Sequence, residues 1–287
     1  MPNSITTAFV QQFKDNIRTL YQQEGSMLRN AVMQEDLEGE IRHFERIGPA
    51  AAVLKTGRHS DTPILDIEHS RRSVVGLDYI WASLIDREDL LRTLIQPQSA
   101  YVRQAVTAIG RAMDDVIVEA MGGNAKSGKD GSTLVALPAG QKIAAGGTKM
   151  SVDKMRQAKR ILDANEVPPM GRWLALNAIG LEDLLQETET TSADFNSVKA
   201  LVQGEINSFL GFNIIRLERL PSQAANERSA YAWHRDALGL AMAQDIMVDI
   251  DVRKDKNLAT QVFAAATFGA VRIEDEGVVE IDYAENV

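Results

Sequence analysis

Residues 97 to 122, PQSAYVRQAVTAIGRAMDDVIVEAMG, constrain the fold more than any other stretch of this 287-residue chain. Val102, Ala105, Val106, Ile109, Ala112, Met113, Val116, Ile117 and Ala120 recur at steps of three and four. Arg103, Gln104, Thr107, Arg111, Asp114 and Glu119 fill the opposite face, which predicts one long amphipathic helix. Pro97 suits its first turn, and Gly122 with Gly123 supplies a left-handed stop. Some 24 residues at about 1.5 Å each make a rod of roughly 36 Å, long enough to serve as the strut of a larger body.

The rest of the chain must cover that rod's apolar stripe. The composition is that of a globular protein, 45% hydrophobic and 25% charged, with no run long enough to span a membrane. There is no cysteine, so disulfides, thiolate metal sites and a cysteine nucleophile are excluded. The net charge of -9 disfavours a protein that coats nucleic acid by neutralising phosphates.

Taken in order, residues 4–23 read as an amphipathic helix with Phe9, Val10, Phe13, Ile17, Leu20 and Tyr21 on one side: an arm that must dock on its own body or on a neighbour. Short extended pieces are expected at Met27–Met33 and Ile41–Ile47. Strand-like runs at Arg42–Ile47 and Ser73–Ile85 flank the turn-rich segment Gly48–Ser70, which predicts a long β-hairpin with a projecting tip. Lys55, Arg58 and His59 lie in that tip, and Arg71 and Arg72 on the return strand. They form a solvated or intersubunit salt-bridge surface rather than a nucleic-acid site. A short helix over 86–94 leads into the long one.

Residues 122–147 are glycine-rich loop with one or two short strands. Ser151 then caps a helix that ends at Asn165 and Pro168-Pro169. A strand over 172–176, a helix capped by Asn177 and a helix from Phe195 to Gly204 follow. Turn and strand over 209–217, a loop over 221–228, a strand over 230–233 and a helix over 236–242 complete that part. Strands over 245–252, 259–273 and 278–283 close the chain and are expected to form one antiparallel sheet against the long helix. The class is α+β.

Chemistry has no evident address. Gly123 to Asp130 meets the glycine-to-glycine-lysine spacing of a phosphate-binding loop. However, Asp130 replaces the hydroxyl that would hold Mg²⁺, and the loop follows a helix where the mechanism needs a strand. Asp249, Asp251 and Asp255 invite a calcium reading, but Lys254 and Thr260 stand where glycine and glutamate are required. Asp114 and Asp115 diverge on their helix and cannot share a proton. His43, His59, His69 and His234 are isolated, and neither Ser127 nor Ser132 sits in a nucleophile elbow. No catalytic residue, cofactor or metal site is expected.

The order of parts, in contrast, is informative. FERIGPAAA enters the hairpin, RRSVVGLDYIWASLID leaves it, and YVRQAVTAIGRAMDDVIVEAMGG forms the spine. RWLALNAIGLEDLL, GEINSFLGFNIIRLERLP, YAWHRDALGLAMAQDI and TQVFAAATFGAVRIEDEGVVEID follow. In this succession the chain resembles the HK97-type major capsid proteins of tailed bacteriophages over nearly its whole length. The resemblance implies an N-terminal arm over 1–45, an extended loop over 46–82 and an axial domain over 165–250. A peripheral domain over 83–164 and 251–287 would carry the spine. It implies self-assembly into pentamers and hexamers that close an icosahedral shell around double-stranded DNA in the virion, with no membrane and no sequence-specific DNA contact. Portal, decoration and separate scaffolding proteins are the partners it implies. Phe9, Phe13, Ile17, Lys55, Arg58, Arg71 and Arg72 are the assembly contacts expected. Some relatives crosslink a lysine to an asparagine. Lys55 lies in the corresponding loop, but only Asn257 is near the last sheet, and no crosslink is predicted. Two alternatives are an encapsulin-like compartment shell and, from another class, a nucleotide-dependent enzyme using the Gly123–Lys129 loop.

Overall fold

The computed structural model describes residues 22–55, 57–59, 61–62, 64–86, 98–186, 208–224 and 226–285. The helices expected over 4–23, 86–94 and 195–204 lie wholly or almost wholly outside the described residues. In chain order the elements are β1 (Met33–Asp36), β2 (Ile41–Ile47), β3 (His69–Val75), β4 (Leu77–Ile85), α1 (Gln98–Gly122), β5 (Ala125–Ser127), β6 (Thr133–Val135) and β7 (Lys142–Ile143). There follow α2 (Val152–Ala164), β8 (Arg172–Leu176), α3 (Ala178–Gln186), β9 (Ser208–Phe209), β10 (Phe212–Arg216), β11 (Ser222–Ala224), β12 (Glu227–His234), β13 (Leu238–Arg253), β14 (Ala259–Arg272) and β15 (Val278–Ala284). Three sheets result, with strand orders β1-β13-β14-β4, β2-β3-β5-β6 and β7-β15-β12-β8-β10-β9, the last with β11 beside β12.

The described chain falls into two compact units. The smaller takes residues 78–112 and 244–267 with the preceding piece up to Ser26; the larger takes the rest. Within the smaller unit, Ala105 and Ile109 of α1 are buried, and Val262, Ala264 and Ala266 alternate inward along β14. Trp81 of β4 and Tyr101 of α1 bring their rings within 6.5 Å. Gly110 must be glycine, because a Cβ there would stand 2.5 Å from the carbonyl carbon of Gly25.

In the larger unit, α2 and α3 contribute Met155, Ala158, Leu162, Leu181 and Leu184 to a core shared with Leu174, Leu176, Ala232, Val279, Ile281 and Tyr283 of the largest sheet. Each Leu, Ile, Val and Met among them contributes about 1.5–3 kcal/mol on burial. Both helices start as the sequence predicts. The Ser151 hydroxyl accepts from Lys154 N–H at 3.3 Å, and Asn177 Oδ1 accepts from Gly180 N–H at 2.7 Å and from Tyr283 O–H at 2.6 Å. Helix α2 stops at Asn165, with Glu166 in the left-handed region at φ 56°.

Four expectations are corrected. The chain over 236–242 is not a helix: a 3-10 turn at Arg235–Ala237 leads straight into the sixteen-residue β13. Helix-forming residues are overridden there by packing, since Leu238, Leu240 and Ala241 are buried and β1 pairs with Gly239 to Met242 in parallel. Strand β15 does not join β13 and β14. It lies antiparallel to β12, from Trp233 opposite Val278 to Glu227 opposite Ala284, and parallel to β7. The return strand of the hairpin breaks at Gly76, so that β3 pairs with β2 while β4 enters another sheet. Residues 221–228 hold β11 and the start of β12, where a loop is expected.

Alpha helix α1 spans 25 residues and ends where expected, but not by the expected means. Neither Gly122 nor Gly123 has positive φ. Their role is steric: Gly122 lies against the Tyr231 hydroxyl, and a Cβ on Gly123 would meet the Glu119 carbonyl oxygen at 2.5 Å. The terminal carbonyls are capped by a distant arginine. Arg272 Nη1 donates to the carbonyls of Met121 at 2.9 Å and Gly123 at 2.7 Å.

Gly239 tests the account of β13. A Cβ at this position would fall 2.5 Å from Cζ of the Phe44 ring. Gly239→Ala is expected to destabilise the chain by about 1–3 kcal/mol through overpacking. Adding Phe44→Leu should restore part of the loss, as read by thermal melting.

Candidate assembly surface

The β2–β3 hairpin is built from alternating strands in simple register, from Ile41 opposite Val75 to Ile47 opposite His69. Beyond the last pair, Gly48 N–H donates to the Glu68 carbonyl at 2.8 Å, and residues 49–67 form the tip. Among the described residues nothing covers the apolar side chains of that tip. Leu54 is 87% exposed and Ile64 95% exposed, and Ile47, Val53, Leu65 and Ile67 are exposed beside them. Lys55, Arg58 and His59 are exposed in the same tip. A patch of this kind marks an interaction site.

The hairpin's base is held by charge. Arg71 and Arg72 are adjacent on β3, so they face opposite sides of the sheet. Arg71 is half-exposed and pairs with Glu45 across the hairpin at 3.0 Å. Arg72 points inward, only 3% exposed, and its Nη2 donates to Asp275 Oδ2 at 2.7 Å. Asp275 Oδ1 accepts from Arg272 Nε at 2.7 Å. One carboxylate in the β14–β15 turn thus bridges two buried guanidinium groups. Burial lowers the pKa of Arg72 from its ordinary value, and the charge of Asp275 opposes that shift. Arg46 adds a longer contact, 3.8 Å, to Glu276. His43 Nδ1 lies 2.9 Å from Ser73 Oγ, and Ser127 Oγ donates to the Arg71 carbonyl at 3.2 Å, joining the hairpin to β5.

Of the residues singled out in the sequence, Lys55 and Arg58 lie together in the tip. Arg71 and Arg72 lie at its base, and Phe9, Phe13 and Ile17 are outside the described residues. The tip's exposed apolar side chains carry the strongest signal. Ile64, Leu65 and Ile67 were visible in the sequence as apolar residues within a turn-rich segment. The partner of Arg72, 203 residues away, had no local sign.

The segment spaced like a phosphate loop is a β-structure. Ala125–Ser127 pairs with β3 on one side and β6 on the other, which commits its backbone to a sheet, and Lys129 is exposed. A phosphate cradle needs free, converging N–H groups. Asp114 is buried and accepts from the backbone N–H groups of Met27 and Leu28 at 3.0 and 3.1 Å, whereas its neighbour Asp115 turns away to Arg219. Asp255 is bonded through both oxygens to Arg253, which holds its carboxyl down at about 2. Among the described residues no three His, Cys, Asp or Glu side chains come together in a group that could hold a metal ion. No described helix is long and apolar enough to cross a membrane.

The described chain thus joins a long helix to a hairpin whose base is locked by buried charge and whose apolar tip is exposed. The sequence matches the family of phage capsid proteins over residues 5–285, and the chain belongs to that family. No curated protein matches it in sequence. Solved structures do match. The capsid of cyanophage P-SCSP1u is 15% identical with a TM-score of 0.75, covering 97% of this chain and 94% of that one. Mycobacterium phage Che8 gives 18% and 0.71 over 96% and 98%. The capsid of cyanophage Pam1 gives 14% and 0.73 over 99% and 98%. The fold is accordingly that of phage capsid proteins, and the chain is a major capsid protein, a structural component of a bacteriophage virion shell. An encapsulin-like compartment is not favoured.

The two neighbouring arginines should separate in experiment. Arg71→Ala removes a half-exposed pair and is expected to change stability by less than about 1 kcal/mol. Arg72→Ala leaves Asp275 with one guanidinium fewer in a buried setting and should cost about 3 kcal/mol. Urea unfolding of the two variants side by side measures the difference.

Proposed function

We propose that the chain forms pentamers and hexamers that close an icosahedral head around packaged double-stranded DNA, and that the hairpin tip is a principal contact between neighbours. The single observation behind this reading is the uncovered apolar tip, with Leu54 and Ile64 almost wholly exposed on a strongly anchored hairpin. Removing about 25 cal/mol per Å² of apolar surface from water favours seating it on a second copy. Lys55 and Arg58 then give the seat a polar, charged rim.

In this reading Arg71 and Arg72 position the hairpin from its base, and Arg72 acts through Asp275 rather than by touching a neighbour. The N-terminal arm, through Phe9, Phe13 and Ile17, is a second contact between copies. The arm over 1–45, the loop over 46–82, the axial domain over 165–250 and the peripheral domain over 83–164 and 251–287 are the functional divisions we assign. A separate scaffolding protein, a portal and decoration proteins are the partners such a head would use, and assembly would take place in the host cytoplasm. The acid excess supports containment of DNA without adhesion to it. The subunit's role is structural, with no reaction of its own.

Replacing Leu54 and Ile64 together by serine tests this. The double variant should melt within about 1 kcal/mol of the unaltered chain, since neither side chain is packed. It should also fail to form rings or closed particles under electron microscopy and in sedimentation. Particles of normal yield from that variant would overturn the assignment of the tip. Lys129→Ala, in contrast, should assemble as the unaltered chain does.

A further inference from the structure

The loop from Ala144 to Met150 joins β7 to α2 and forms one wall of a cavity of about 590 Å³, which α3 borders through Asp183 and Gln186. Its chain reverses at Gly146 and Gly147, whose φ angles of 58° and 65° fall in the left-handed region. On one side the loop is fastened firmly. Lys154 Nζ donates to the carbonyls of Ala145 at 2.9 Å and Thr148 at 3.1 Å, and to that of Asp282 on β15 at 2.8 Å.

On the other side the fastening is incomplete. Asp183 is only 8% exposed, and its carboxyl takes a hydrogen bond from Met150 N–H. Lys149 Nζ stands 3.8 Å from Oδ1, beyond hydrogen-bond length. Asp183 Oδ2 is enclosed and has no hydrogen-bond partner among the described residues. An enclosed carboxylate oxygen without a donor is costly while charged and much less so once protonated.

We propose that Asp183 makes this loop an acid-tightened latch: near neutral pH its enclosed charge holds loop and helix loosely, and uptake of a proton lets them close. The groups that face it are Lys149 and the Met150 N–H from the loop, Glu182 from its own helix and Glu285 from the chain following β15. Burial is the largest influence on the carboxyl and raises its pKa above the ordinary aspartate value. Glu182 and Glu285 add to the rise, and Lys149 and the Met150 N–H oppose it. The sign follows from linkage. A carboxyl whose pKa is higher folded than unfolded favours the folded state most below the unfolded value, and the benefit is lost as pH rises through the folded one.

The experiment is amide hydrogen exchange at Met150 in the full chain from about pH 8 down to about pH 3.5, near the ordinary aspartate value, corrected for the intrinsic rate. Thermal melting is recorded alongside. In the unaltered chain, protection at Met150 should rise as pH falls. Asp183→Asn should remove the rise and should melt no lower than the unaltered chain at the upper end of the range. Lys149→Met removes the opposing cation and should move the rise to higher pH. The proposal is overturned if the unaltered chain and Asp183→Asn show the same pH profile, or if Lys149→Met leaves the midpoint in place. Should Asp183→Asn fail to fold, the direction of the Lys149→Met shift decides alone. The measurement reads a single chain, so its outcome is independent of whether the hairpin tip joins subunits.

Discussion

A guanidinium with no access to water costs least when its donors meet acceptors, and Arg272 meets that condition with 0% exposure. Its Nε donates to Asp275, its Nη2 to the Val135 carbonyl at 3.0 Å, and its Nη1 to the last carbonyls of α1. Those carbonyls form the negative end of a 25-residue helix, where a cation is favoured. One side chain therefore ties together the spine's end, the edge strand β6 and the turn after β14. Through Asp275 the same charge reaches Arg72 and the base of the hairpin. The base of the hairpin is thus fixed in place by the group that terminates the longest described helix.

This arrangement explains how an exposed hairpin can be precise without being covered. Among the described residues the tip's apolar side chains lie exposed, and its two strands alone would be marginal in water. The ladder from Ile41 to Ile47 is extended by β5 and β6 into four strands, and the inward-facing members Phe44, Val74 and Ala125 share a core with Ala241, Val271 and Ile273. The ordering entropy of the strands is met at the base. In the proposed assembly, less would then remain to be spent on immobilising the tip against a second copy.

Much of this was legible in the residues, because it is local. The 3.6-residue period of α1, the Ser151 and Asn177 caps, and the strand pairing around the turn-rich tip each depend on neighbours a few positions apart. What could not be read depends on remote partners. Residues 236–242 carry helix formers, yet the ring of Phe44 and the parallel strand β1 draw them into a sheet. Strand β15 follows β14 by a short turn, but the buried Asp275 in that turn is engaged by Arg272 and Arg72. The chain leaves toward β12 instead of folding back. Gly122 and Gly123 suggested a left-handed stop, when the real stop is an arginine about 150 residues onward. For the assembly surface, strand alternation alone could have shown that Arg71 and Arg72 cannot both face solvent. Which of them turns inward follows only from the position of Asp275.

The comparison with other capsids has the same physical root. Sequences only 14–18% identical to this one keep the fold with TM-scores of 0.71–0.75 over nearly the whole chain. Cores tolerate wide exchange of apolar residues when pattern and volume are kept, so the spine and sheets can persist while their residues drift. A contact between copies is under a different constraint, since both of its sides are encoded by one chain and change together. Tip and seat can therefore drift as a pair, each subunit remaining complementary to itself while losing likeness to its relatives. The exposed Leu54 and Ile64 belong to that second class. In the assembly proposed above their identity answers to the surface they would cover in a sibling, while the anchoring charges beneath them, Arg72, Asp275 and Arg272, answer to the fold.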